Sequence, residues 1–249
     1  NPRDFDGDRV RDGLLLMLWG LFQKVVVADR IAVVVQLAFD EYYALPGIAV
    51  LVGLVLFAFQ IYCDFGGYSN IAIGAAQVIG IDLMQNFRQP YLARSCAEFW
   101  RRWHISLSTW FRDYLYIPLG GSRCSKWRKH FNLMVTFLVS GLWHGASWSF
   151  VVWGGLNGAF QVVGERLKPL RERFWQPICP NRDHPVRKGL QIVTTFVLID
   201  FAWLFFRSGS FLWGLSMLKH MVFELHPGGL FYGGWAKLGL GGAEWIVLL

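Results

Sequence analysis

The side chain best suited to chemistry is His144, which lies mid-way along residues 131–164, a run without Asp, Glu, Lys or Arg. An ionisable side chain at membrane depth is costly and by default indicates function. A neutral imidazole can serve as a general base near neutral pH. The position also suits a histidine that is hydrogen-bonded between helices or lies at the far membrane interface. His144 is therefore a candidate catalytic base with a structural alternative.

A second histidine, His104, lies in a segment rich in arginine and aromatic residues, FWRRWHISLS at 99–108. On a helix it would share a face with Trp100. Arg101 and Arg102 precede it closely, and their guanidinium groups are suited to bind the phosphates of an acyl donor or of anionic lipids. An interfacial histidine beside two arginines that extend toward water explains the pattern equally well.

Acidic residues beside the apolar runs are few. Asp64, Asp113 and Asp200 could each orient a histidine or pair with an arginine, and Asp113 directly follows Arg112, which favours a structural role. The cysteines form no CxxC pair and no Cys/His ligand spacing, so we predict free thiols and no metal site. The sequence contains no nucleophile elbow, P-loop, dinucleotide-binding fingerprint or zinc-protease motif.

The composition indicates a membrane protein. Of the 249 residues, 54% are hydrophobic, 17% are aromatic and 16% are charged, whereas about 25% of residues in a typical soluble domain are charged. The net charge is +7. Because the basic residues cluster between apolar runs, this charge fits the positive-inside pattern of a multi-pass membrane protein and not a nucleic-acid-binding protein. The composition excludes disordered, collagen-like and coiled-coil classes, and the low charged fraction disfavours a soluble enzyme.

Apolar segments of helical length predict an all-α, polytopic transmembrane protein. Residues 42–63 carry no charge and are long enough to cross a hydrocarbon core of about 30 Å. Residues 64–69 should break this helix. A straight helix over 131–164 would be about 51 Å long, so we predict a helical hairpin that bends near His144. Further helices are predicted at 13–28, 189–206 and 210–223.

Two polar stretches should lie outside the hydrocarbon core. Residues 88–130 mix arginine with aromatic residues and are predicted to form interfacial or re-entrant helices. Residues 166–188 contain basic residues and prolines and are predicted to be a polar loop. Since Lys and Arg concentrate in cytoplasmic loops, residues 88–102, 122–130 and 166–188 should face the cytoplasm. The glycine-rich residues 228–242 are predicted to be a loop.

Three ordered sequence blocks resemble the membrane-bound O-acyltransferase (MBOAT) family. They are FQIYCDFGGYS at 59–69, FWRRWHISLS at 99–108 with WFRDYLYIPLGG at 110–121, and GLWHG at 141–145. The resemblance implies that His144 is the essential catalytic histidine. It also implies that His104 occupies the second functional position of the family.

The resemblance extends to the substrate-binding residues and the fold. Trp143 and Asp64 lie in these blocks and join Arg101 and Arg102 as candidate substrate-binding residues. The implied fold is a ring of tilted helices with re-entrant and interfacial helices. The sequence opens without Met and stops in an apolar segment. Residues 1–249 are therefore expected to form a partial transmembrane domain of this family, without its N-terminal helices and C-terminal end.

The implied activity is O-acetylation of a polysaccharide, as in the branch of the family that modifies alginate. The acyl donor would be acetyl-CoA or a carrier-protein thioester that approaches from the cytoplasm, with no bound cofactor. The acceptor would be an exported or cell-surface polysaccharide, served by an extracytoplasmic acetyl-transfer partner protein. The expected location is the inner or plasma membrane of a bacterium, in contact with membrane lipid.

Three other functions remain compatible with the sequence. A related branch of the family transfers D-alanine from a carrier protein to teichoic acid. A membrane transporter or flippase would use His144 as a proton relay. A scaffold subunit that only anchors partner proteins would tolerate the loss of both histidines. A thioester transfer assay distinguishes the enzyme from the last two.

Overall fold

The computed structural model describes residues 6–181 and 183–230. Every regular element within these two ranges is helical, as the sequence predicts. The α-helices in chain order are α1 (Gly7–Leu21), α2 (Asp29–Asp40), α3 (Gly47–Val78), α4 (Cys96–Arg102), α5 (Ile105–Phe111), α6 (Lys126–His144), α7 (Trp148–Arg166), α8 (Lys168–Ile178), α9 (Pro185–Arg207) and α10 (Phe211–Phe223). A π-helical segment, Phe22–Ala28, joins α1 to α2.

The chain divides into two compact units. One unit comprises the residues up to 85 and those from 215, and the other comprises residues 86–214. Within the described residues, α3 and α9 are the helices long and apolar enough to cross a membrane by length and composition. The helices predicted at 13–28, 189–206 and 210–223 are confirmed. Residues 231–242 of the predicted glycine-rich loop lie outside the described residues.

In the first unit, α1 packs antiparallel to α3 through pairs of glycines. Gly13 lies against the backbone of Gly74, and Gly20 lies against that of Gly67. A Cβ atom on Gly20 would come within 2.5 Å of the Gly67 carbonyl oxygen. Small residues at such crossings let two helices approach closely, which is a common way for helices to associate in lipid.

α3 runs without interruption from Gly47 to Val78, so the predicted break at 64–69 is wrong. Gly66 and Gly67 are buried in mid-helix, and Gly67 is a point where α1 approaches α3. Close packing therefore compensates for the low helix propensity of glycine. At about 48 Å, α3 is longer than a hydrocarbon core of about 30 Å and would cross it with a tilt.

In the second unit, α6 and α7 form the predicted helical hairpin. α6 ends at His144, and α7 follows after a short bend. Gly141 lies against the backbone of Phe150, and Gly154 lies against that of Phe137. This close antiparallel crossing holds His144 at the tip of the hairpin.

Residues 88–130 form the short helices α4 and α5, a π-helical turn and the start of α6. They do not form one spanning helix, which agrees with the prediction. The indole Nε1 of Trp100 on α4 donates a hydrogen bond to Asn157 Oδ1 on α7 at 3.1 Å. Asn157 is buried and donates from its side-chain amide to the Trp153 carbonyl at 2.9 Å. α4 is thereby joined to the hairpin that carries His144.

The predicted polar loop at 166–188 contains the helix α8, so this part of the prediction is wrong. Pro169 lies in the first turn of α8, where a proline removes no helical hydrogen bond. Arg187 of α9 is 1% exposed and donates to Glu172 of α8 at 2.7 Å. This ion pair ties the helix to α9, a long-range contact that proline content alone does not reveal.

Candidate active site

His104 lies at the joint between α4 and α5 in a left-handed backbone conformation, with φ 43° and ψ 56°. For a residue other than glycine, such a conformation costs on the order of 1–3 kcal/mol and persists only where its surroundings impose it. Backbone outliers of this kind cluster at functional sites. The conformation therefore adds a structural reason to regard His104 as a functional residue.

A hydrogen-bond network around Asn86 holds this joint. The Asn86 carbonyl accepts from the Ile105 backbone N–H at 3.0 Å. The side-chain oxygen of Asn86 accepts from the backbone N–H of Ser106 at 3.1 Å and from its hydroxyl at 2.6 Å. The same hydroxyl lies 3.4 Å from Nδ1 of His104. Because the Ser106 hydroxyl donates its proton to Asn86, its oxygen can accept a hydrogen bond from Nδ1–H of His104.

His144 is half-buried among aromatic side chains at the end of α6. The ring centroids of Trp143, Trp153 and Phe206 lie 4.9, 5.1 and 5.3 Å from that of His144. No hydrogen bond joins its imidazole to any part of the chain that the structure describes. Both ring nitrogens are therefore left to interact with a ligand.

A series of tryptophan contacts connects the surroundings of the two histidines. Trp103, which precedes His104, has its ring centroid 5.2 Å from that of Trp203, and Trp203 stacks on Trp153 at 5.9 Å. Trp153 contacts the ring of His144. Burial lowers the pKa of His104, and a charge on His144 lowers it further, so the two imidazoles are within electrostatic reach. The structure thus brings the two predicted catalytic residues together.

The two candidate arginines differ in their contacts. Arg102 donates to Glu98 at 2.6 Å and to the Gln89 carbonyl at 3.4 Å, so its guanidinium is engaged within the protein. Arg101 is exposed and forms no ion pair or hydrogen bond with its side chain among the described residues. Of the two, Arg101 is the residue available to an anionic ligand.

The remaining candidates lie in different units. Trp143 is 59% exposed and contacts His144, which suits it to contact a substrate that reaches the imidazole. Asp64 belongs to the first unit, where it forms an ion pair with Lys24 at 2.6 Å. Lys24 also pairs with Asp29 at 2.8 Å. Asp64 therefore has a structural partner, and its role in substrate binding stays a prediction.

The other two acidic residues have different surroundings. Asp113 forms an ion pair with Arg112 at 2.7 Å on the exposed surface, in line with the predicted structural role. Asp200 is 5% exposed in α9, and its Oδ1 atom has no hydrogen-bond partner among the described residues. Sequence reasoning found both residues but missed Asn86, because its contacts join segments separated by α4.

The sequence comparisons agree with the motifs. Residues 9–198 match the profile of MBOAT, the membrane-bound O-acyltransferase family. A probable alginate O-acetylase, AlgI, of Azotobacter vinelandii is 39% identical over 208 residues, which cover 84% of this chain and 39% of the relative. A peptidoglycan O-acetyltransferase of Helicobacter pylori is 39% identical over 210 residues, which cover 84% of this chain and 38% of the relative.

A more distant relative has a different acyl group in its name. The teichoic acid D-alanyltransferase of Streptococcus thermophilus is 29% identical over 187 residues, which cover 66% of this chain and 42% of the relative. The chain spans about two fifths of the length of all three relatives.

Proposed function

This chain belongs to the membrane-bound O-acyltransferase family, and we propose from that premise that it carries the acyl-transfer site of a polysaccharide O-acetyltransferase. The observation that supports the proposal most strongly is the setting of His144. Its imidazole has no hydrogen-bond partner among the described residues and lies between aromatic rings. Aromatic walls exclude water from a site and strengthen the polar interactions made inside it.

His144 acts as the general base in this proposal. Its imidazole accepts the proton of a sugar hydroxyl while the hydroxyl oxygen attacks the carbonyl carbon of a thioester. The new C–O bond forms, the C–S bond breaks, and His144 returns the proton to the departing sulfur. An acetyl ester and a free thiol result, and the imidazole is regenerated.

His104 orients the acceptor in this reaction. The hydrogen bonds between Asn86 and Ser106 hold the joint beside its Nδ1, so that the imidazole is positioned to contact the sugar hydroxyl. Arg101 offers an unpaired guanidinium to a phosphate of the donor, and the exposed indole of Trp143 contacts the substrate beside His144. Arginine is well suited to this task because its fork of N–H donors matches phosphate oxygens.

The substrates and location follow the relatives. Acetyl-CoA or a carrier-protein thioester is the proposed donor, because the more similar relatives are an alginate O-acetylase and a peptidoglycan O-acetyltransferase by name. The proposed acceptor is an exported or cell-surface polysaccharide, with an extracytoplasmic transfer partner. The proposed location is a bacterial inner or plasma membrane, which the chain crosses several times.

The function is tested by replacing His144 with Gln and measuring ester-linked acetate on the polysaccharide in producing cells. Loss of a general base typically lowers the rate on the order of 10²- to 10⁴-fold, so acetylation should disappear at unchanged abundance in the membrane. The exposed His184, which precedes α9, provides the control His184→Gln, which should retain activity. Normal acetylation by His144→Gln would remove the catalytic assignment and revive the scaffold function.

D-alanyl transfer is the second candidate, supported by the teichoic acid D-alanyltransferase relative. Purified protein offered acetyl-CoA, or a carrier protein loaded with D-alanine, separates the two reactions by the acyl group that appears on the acceptor. Transfer of D-alanine alone would replace the acetylation proposal. Proton-coupled transport without acyl transfer would instead favour the transporter.

A further inference from the structure

A cavity of about 150 Å³ lies in the second unit, where the start of α4, the end of α7, α8 and the first half of α9 meet. We name it the α8 cavity. Its walls include Arg94, Cys96, Phe160, Arg171, Trp175 and Leu190. Neither this cavity nor its residues take part in the reaction proposed above.

The α8 cavity is separate from the two histidines. On α7, Trp153 contacts His144, and Phe160 lines the cavity about 10 Å further along the helix. On α9, Phe206 contacts His144, and Leu190 lines the cavity about 24 Å away along the helix axis. The same helices therefore serve two different sites at different positions along their length.

Arg171 places a guanidinium with an unbonded Nε atom in the wall of this cavity. Its Nε atom is buried without a hydrogen-bond partner among the described residues, and no ion pair is found for it there. The other guanidinium in the wall, that of Arg94, is paired with Asp183 at 2.7 Å. Arg171 as a whole is half-buried, but a buried N–H donor without an acceptor is costly, and an anion bound in the cavity would supply that acceptor.

α8 has the amphipathic pattern of a helix that lies in a membrane interface. Leu170, Phe174 and Ile178 recur at helical spacing, and each is more than 60% exposed. Lys168 and Arg173 on the same helix are exposed basic residues. An exposed apolar stripe beside basic residues is typical of helices that bind the surface of anionic membranes.

An exposed apolar stripe on α9 leads to the cavity. Val186, Leu190, Val193 and Val197 follow one another at helical spacing and are each at least half exposed. Leu190 belongs both to this stripe and to the cavity wall. A ligand with a polar group in the cavity can thus extend an apolar chain along α9, which is one of the two candidate spanning helices.

We propose that the α8 cavity binds an anionic phospholipid, with its phosphate on Arg171 and an acyl chain along the exposed stripe of α9. The volume of about 150 Å³ is smaller than the roughly 300–1,000 Å³ of pockets that enclose drug-sized ligands. It suits a phosphate and glycerol better than the nucleotide of coenzyme A. The basic residues of α8 match the negative surface of a cytoplasmic leaflet.

Binding is tested with purified whole protein and a fluorescent phosphatidylglycerol in detergent micelles. A hydrogen-bonded charge removed from such a site typically weakens binding on the order of tenfold or more, so Arg171→Gln should raise the dissociation constant by at least that factor. Arg123→Gln removes an exposed charge that lies outside the cavity wall and should leave the dissociation constant unchanged. Equal binding by Arg171→Gln and wild type would overturn the proposal.

A second variant tests the proposal even if Arg171→Gln does not fold. Gly164 lines the cavity, and a Cβ atom there would have no other atom within 4 Å. Gly164→Phe should therefore fill the cavity and weaken phosphatidylglycerol binding while Arg171 is retained. Unaltered binding by Gly164→Phe would also overturn the proposal.

Competition identifies the source of the phosphate. Unlabelled phosphatidylglycerol should displace the probe, whereas phosphatidylcholine, inorganic phosphate and coenzyme A should not at equal concentration. Displacement by coenzyme A would overturn the lipid assignment. The proposal does not rest on the enzymatic function, because His144→Gln should bind the lipid as the wild type does.

Discussion

His104 combines a left-handed backbone with an imidazole, and the two contributions can be separated by substitution. Asparagine adopts the left-handed region more readily than most residues, so His104→Asn should retain the α4–α5 joint while removing the ring. We expect turnover to fall, less severely than for His144→Gln, with wild-type abundance in the membrane. Initial rates and immunoblots measure the two effects. Wild-type turnover by His104→Asn would assign the histidine a backbone role only.

The same residue predicts a pH dependence. Burial lowers the pKa of His104, and a charge on His144 lowers it further. The neutral ring therefore persists below the ordinary histidine pKa of about 6.5. Acetyl transfer in proteoliposomes should stay level as the pH falls from about 8 to about 6 and should decline only in more acid solution. A profile with half of the activity lost near pH 6.5 would contradict this prediction.

Arg101 and Arg102 should behave differently when their charge is reversed. Arg101 has no partner among the described residues, so Arg101→Glu should raise the KM for a phosphate-bearing donor with little change in abundance. Arg102 pairs with Glu98, so Arg102→Glu should lower abundance by placing like charges together. Donor titrations and membrane immunoblots measure both effects. An unchanged KM in well-expressed Arg101→Glu would exclude it from donor binding.

Local sequence patterns identified the catalytic candidates but not what holds them. The uncharged run around His144 and the aromatic segment around His104 pointed to both histidines. The role of Asn86 depends on contacts across α4, and the difference between Arg101 and Arg102 depends on which guanidinium meets Glu98. Such contacts become visible only once the chain has folded.

At the scale of helices, two adjacent glycines at the α6–α7 crossing should respond differently to substitution by alanine. A Cβ atom on Gly154 would clash with the Phe137 carbonyl, whereas one on Gly155 would make ordinary contact with Leu138 at 3.6 Å. Gly154→Ala should therefore destabilise the protein by about 1–3 kcal/mol. Gly155→Ala should be neutral or stabilising by up to about 1 kcal/mol, because alanine favours helix. Thermal unfolding in detergent compares the stabilities of the two variants. Equal unfolding midpoints would contradict the close approach of α6 and α7 at Gly154.

The sequence predicted helix boundaries correctly where charged residues flank an apolar segment. It failed where contacts with other parts of the protein determine whether a helix continues. The hairpin was predictable because residues 131–164 are too long for one span and are flanked by basic residues. The break at 64–69 was wrong because Gly67 serves a helix crossing. α8 was missed because Pro169 lies at a position where a helix tolerates proline. The two residues failed as break signals for different reasons, Gly67 because it lies at a helix crossing and Pro169 because it lies at a helix start.

For the whole molecule, the distribution of Lys and Arg predicts that residues 88–102, 122–130 and 166–188 face the cytoplasm. In a variant whose cysteines are replaced by serine, Lys126→Cys should resist a membrane-impermeant maleimide added to intact cells. Ala146→Cys at the tip of the hairpin should react with the same reagent. Lysed cells provide the reference for full labelling. Labelling of position 126 from outside would contradict this topology.

The length of α6 indicates on which side of the membrane the proposed acetyl transfer would take place. From Lys126 to His144 the helix measures about 28 Å, close to the full thickness of a hydrocarbon core of about 30 Å. If Lys126 lies at the cytoplasmic surface, as the charge pattern predicts, the acetyl transfer proposed at His144 would release its product toward the opposite side. On this proposal, the exchange of one C–S bond for one C–O bond would both modify the sugar and move the acetyl group across the membrane. In the proposed reaction, the free energy of thioester cleavage would drive both steps.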